Sequence, residues 1–82
     1  MLSLGRTRSY VFQLGAKVRV SASGGWQRDA LGTIVGGPEP VETVQGQDFY
    51  WSVRFSQPEQ DLDGDGPYSQ AQVLSRYIDN AA

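Results

Sequence analysis

A chain of 82 residues holds one domain, near the size at which a single core is only marginally stabilising. It has no cysteine and no histidine, which excludes disulfide staples, thiolate metal sites and the usual nucleophile–histidine pairs. Seven basic against nine acidic residues give a formal charge of -2, the wrong balance for a dedicated nucleic-acid binder, which needs excess Lys and Arg to neutralise phosphates.

Residues 1–12 read as a flexible N-terminal arm carrying Arg6 and Arg8 without a neighbouring acid, with Tyr10-Val11-Phe12 folding back onto a single domain over residues 13–80. Met1 to Gly5 is too short for a signal h-region and is followed by arginines, and no apolar run approaches the ~18 residues of a membrane span. The expectation is a cytoplasmic protein without membrane contact. Lys17-Val18-Arg19-Val20-Ser21 alternates with period two, which fits a strand with the valines inward and the cations outward. Ser23-Gly24-Gly25 breaks it, and Trp26 follows as a lid on the end of the core.

A second strand is expected at Gly32-Thr33-Ile34-Val35-Gly36, ended by Gly37-Pro38-Glu39-Pro40 because proline cannot donate to the ladder. Val41 to Asp48 then reads as a long connection with room for a short strand over Val41 to Val44. The clearest element is Phe49-Tyr50-Trp51-Ser52-Val53-Arg54-Phe55, whose odd positions are apolar and whose even positions carry polar groups. A half-buried strand needs that pattern. Ser56 to Pro67 is a polar, acidic loop. Tyr68 to Ser75 suits one 3₁₀ or helical turn, and Arg76-Tyr77-Ile78 a last strand. The expected fold class is therefore all-β: an SH3-like, partly open barrel of about five strands, with one short helical turn before the last.

Two constellations stand out. Asp61-Leu62-Asp63-Gly64-Asp65-Gly66 resembles the start of an EF-hand calcium loop, where carboxylates at positions 1, 3 and 5 supply oxygens and Gly at 6 permits the turn. Position 12 is Gln72 in place of the bidentate Glu, and Pro58 excludes a normal flanking helix. Asp61, Asp63 and Asp65 thus also read as an acidic turn without a metal. The second constellation is aromatic. Its aromatics are Tyr50, Trp26, Tyr68 and Tyr77. Tyr50 and Arg54 share the polar face of the clearest strand, and with Trp26 and Tyr68 they are the candidate interaction surface, because Tyr, Trp and Arg are enriched at interfaces. Opposite charges on the arm and the acidic loop also fit head-to-tail docking.

Gly15-Ala16-Lys17-Val18-Arg19, Ser23-Gly24-Gly25-Trp26-Gln27 and Gly32-Thr33-Ile34-Val35-Gly36 resemble type II, plasmid- and integron-borne dihydrofolate reductase, itself an SH3-like barrel. That resemblance implies a homotetramer holding NADPH and dihydrofolate in a shared pore. The family's Val-Gln-Ile-Tyr segment is matched here by Tyr68 alone, after Asp65-Gly66-Pro67, and its pore lysine is replaced by Val20-Ser21. Phe12 to Arg19 and Tyr50 to Ser56 are similar to strands in the C-terminal barrel of the nitrile hydratase β subunit, which binds no metal itself. Gly36 to Pro40 and Asp65 to Tyr68 are similar to segments of small bacterial SH3-like proteins. The expectation is a non-catalytic module without a cofactor that binds a protein partner or itself as a homo-oligomer, with a divergent reductase as the alternative.

Overall fold

The computed structural model describes residues 11–81. Residues 1–10 of the expected arm, with Arg6 and Arg8, lie outside the described residues. Among the described residues there are five strands: β1 (Lys17–Val20), β2 (Ala30–Thr43), β3 (Gly46–Glu59), β4 (Tyr68–Leu74) and β5 (Ile78–Asn80). Two 3₁₀ turns accompany them, η1 (Ala22–Gly24) after β1 and η2 (Ser75–Tyr77) immediately before β5. All pairings are antiparallel and run in the order β4-β3-β2-β1-β5 in one sheet that does not close. This is the expected all-β, partly open barrel with a helical turn before its last strand.

The alternation of β1 and β3 sets the core. Val18, Val20, Ile34 and Val53 are fully buried at its centre, and two edge-to-face aromatic pairs extend it towards opposite ends of β3. Phe12 meets Trp51 with ring centroids 5.3 Å apart, and Trp26 meets Phe55 at 4.9 Å. Phe12 thus folds back onto the barrel as its sequence indicates. Burying an aromatic side chain of this kind contributes roughly 1.5–3 kcal/mol, a substantial fraction of a small domain's stability.

Three element boundaries differ from the sequence reading. Gly37-Pro38-Glu39-Pro40 does not end β2, which continues to Thr43. The register against β3 slips between Ile34 and Gly36 and again between Gly36 and Glu39, so β2 absorbs two extra residues as bulges. Gly37 is at φ 105°, and a Cβ there would stand 2.8 Å from the Tyr50 carbonyl oxygen. Only glycine permits that bulge. Secondly, the expected Val41–Asp48 connection is the far end of a long hairpin, turned by Val44-Gln45 between Thr43 and Gly46. The Thr43 hydroxyl fixes the turn, donating to the Gly46 carbonyl at 2.6 Å and accepting from the Gln45 N–H at 3.1 Å.

The third difference bears most on function. Tyr68 to Leu74 is strand β4, paired with β3 from Tyr50↔Leu74 to Arg54↔Gln70, and the helical turn is confined to Ser75–Tyr77. Consequently the last strand begins only at Ile78. Ser75 secures this junction and is fully buried. Its Oγ accepts from Trp51 Nε1–H at 2.9 Å and donates to the Phe49 carbonyl at 3.3 Å.

Candidate functional site

An open sheet has two edges, and here they differ. β5 is three residues long and carries Asp79; a short, charged edge resists pairing with other chains. β4 is seven residues long, Tyr-Ser-Gln-Ala-Gln-Val-Leu, with neither a charge nor a proline. Pairing to β3 uses the N–H and C=O groups on one side of β4 only, and alternate residues turn theirs to the other side. Among the described residues no strand and no backbone hydrogen bond covers that side.

Beside the C-terminal half of β4 lies a cleft of about 230 Å³, walled by Trp26, Tyr50 and Tyr77 and floored by Gln72, Val73 and Leu74. Tyr50 is placed there because it pairs with Leu74 on the β4 side of β3. η2 carries Tyr77, so the buried Ser75–Trp51 hydrogen bond also positions that wall. The next residue, Arg76, is held by Asp48: Arg76 Nε donates to Asp48 Oδ2 at 2.8 Å, and Nη2 to Thr43 Oγ1 at 3.1 Å. Burial pushes the Asp48 carboxyl up. The Arg76 hydrogen bond, the Phe49 N–H and the Arg76 charge together outweigh it and hold the group below its ordinary value.

The structure thus brings all four candidate aromatic and basic residues to or beside β4, three of them aromatic. Trp26 is only 9% exposed and serves as both lid and cleft wall. Tyr68, at the N-terminal end of the strand, meets Trp26 edge-on at 6.0 Å. Burial, then the charges of Asp61, Asp65 and Asp63, raise its phenol pKa above the ordinary value. Arg54 is exposed on β3, between Gln70 of β4 and Thr33 of β2 and four residues from Tyr50. Sequence reasoning missed Leu74 because it assigned Tyr68 to Ser75 to a turn. The available signal was Ala71 and Val73 alternating with glutamines.

The acidic loop closes on itself. Asp61 Oδ1 accepts from the N–H groups of Asp63 and Asp65 at 3.0 and 2.9 Å, and the three carboxylates reach within 4.8 Å of one another. The loop runs between β3 and β4, without the flanking helices of an EF-hand. Its shape is that of an Asp-driven turn. Nearby, Arg28 Nε pairs with the buried Glu59 at 2.9 Å beside an open groove of about 490 Å³. The Glu59 hydrogen bond and charge raise the Arg28 pKa. No helix among the described residues is long and apolar enough to cross a membrane.

In comparisons with known proteins, no family model, no curated protein and no solved structure matches this chain.

Proposed function

We propose that this protein is a non-catalytic interaction module that takes up an extended segment of a protein partner as an added strand along β4. The observation that carries this reading is the seven-residue, uncharged edge, unpaired among the described residues, lying beside an aromatic-walled cleft. Strand addition draws affinity from main-chain hydrogen bonds and specificity from pockets for alternate side chains. β4 offers the first, and the cleft at Trp26, Tyr50 and Tyr77 offers the second. A guarded edge like β5 offers neither.

The test is a selection of binders from a random dodecapeptide display library, followed by amide NMR mapping of a selected peptide on the whole chain. Shifts should centre on Gln70 to Leu74 and on the Trp26 indole. A map centred on Lys17 and Arg19, or no binder at all, would overturn the proposal.

A further inference from the structure

The β4 edge also has the properties needed to pair with itself. Building on the strand-addition reading, we infer that the strand occupying it in the protein alone is β4 of a second copy, antiparallel about a two-fold axis through Ala71. Three features of the chain select this occupant and this register.

First, faces must match. Ala71 and Val73 turn towards the core, while Gln70 and Gln72 are exposed on the other face. Antiparallel registers in which the paired residue numbers sum to an odd value set inward side chains beside outward ones, and a buried face forbids that. Even sums keep inner face beside inner face. Of these, the register centred on Ala71 alone uses the whole strand: Tyr68 opposite the partner's Leu74, Ser69 opposite the partner's Val73, and Gln70 opposite the partner's Gln72. Centring on Gln70 or Gln72 pairs five residues instead.

Second, a two-fold axis brings each segment against its own copy, so charges near it meet like charges. Between Tyr68 and Leu74 there are none. Beyond the ends, antiparallel pairing carries the two acidic loops, which precede Tyr68, to opposite ends of the seam, so they do not meet, and Arg76 after Leu74 is already neutralised by Asp48. Third, Tyr68 is 40% exposed in the single chain. In this register the partner's Tyr68 arrives beside Leu74, where the 230 Å³ cleft opens. Two five-stranded sheets then become one, and the unguarded edge disappears.

Sedimentation equilibrium on the full chain tests this with two variants of the exposed glutamines. Gln70→Lys with Gln72→Lys puts like charges opposite each other twice; Gln70→Lys with Gln72→Glu puts opposite charges there twice. Cross-strand pairs of this kind differ enough that dimerisation of the two variants should separate by roughly tenfold or more. The expected result is a dimeric wild type, a dimeric Lys/Glu variant and a monomeric Lys/Lys variant, all three with the same circular dichroism and cooperative melting. A wild type that stays monomeric at every concentration overturns self-pairing, as does equal behaviour of the two variants. The strand-addition reading has its own outcome: a monomeric wild type whose β4 amides still shift with a selected peptide rejects the two-fold pairing alone.

Discussion

Ser75→Ala isolates the link between the core and the cleft. The substitution removes a hydroxyl that is fully buried and leaves Trp51 Nε1–H, on a side chain 2% exposed, without a partner and without access to water. A buried donor left unsatisfied costs about 1–3 kcal/mol. The Phe49 carbonyl loses a longer bond at 3.3 Å as well, so a total of about 2–3 kcal/mol is expected. For a domain of this size each kcal/mol lowers the melting temperature by about 4–8 °C, which gives a fall of roughly 8–24 °C. Urea unfolding followed by tryptophan fluorescence measures it, with the m-value unchanged. Repeating Ser75→Ala in a Trp51→Phe background, where no donor is stranded, should cost distinctly less. A loss under ~0.5 kcal/mol, or the same loss in both backgrounds, would refute the reasoning.

Three further outcomes follow from the geometry. Asp48 titrates below its ordinary value in the folded protein, so its stabilising contribution is complete above the unfolded-state value near pH ~4 and is lost as pH falls through the lowered folded value. Asp48→Asn should flatten the acid limb of a stability–pH curve; an unchanged limb would mean that other carboxylates carry it. Asp65→Asn should bring the Tyr68 phenol titration down towards its ordinary midpoint, read by NMR of the ring carbons; an unmoved midpoint would remove the acidic loop as a cause. Gly32→Ala would set a Cβ 2.6 Å from both the Arg54 carbonyl oxygen and Val53 Cγ1. It should destabilise by about 1–3 kcal/mol or more in urea titrations, as overpacked cores do.

Where side chains alternate strongly, the fold is legible in the sequence. Trp51, Val53 and Phe55 are buried as their spacing requires, and Val18 and Val20 likewise. Gly37 to Pro40 misleads because a chain stop and a bulge use the same residues; the difference lies in register against Ser52 and Tyr50, which is a property of the partner strand. β4 misleads because Ser, Gln and Ala have weak strand preference, and its conformation is imposed by β3. The buried acids are illegible for a related reason. Asp48 and Glu59 read as surface residues until Arg76 and Arg28, 28 and 31 positions away, are seen beside them. Of the candidate site, the aromatic residues could be named from the sequence. Their convergence on one edge could not, because it depends on where the turn before β5 begins.

The strand order has a kinetic consequence. β2 and β3 are joined by two turn residues, whereas β1 pairs with β5 through Arg19↔Asp79, across almost the whole domain. Each doubling of a closed loop adds about 0.6 kcal/mol of entropy cost, so closing the β1–β5 seam starts roughly 3 kcal/mol behind the hairpin. The hairpin is therefore expected in the folding transition state and the seam after it. Val53→Ala should then slow refolding, while Ile78→Val should chiefly quicken unfolding. The chain would thus pass through a moment in which β4 is already laid on β3, and its bare edge is offered to solvent before the barrel's last strand is in place.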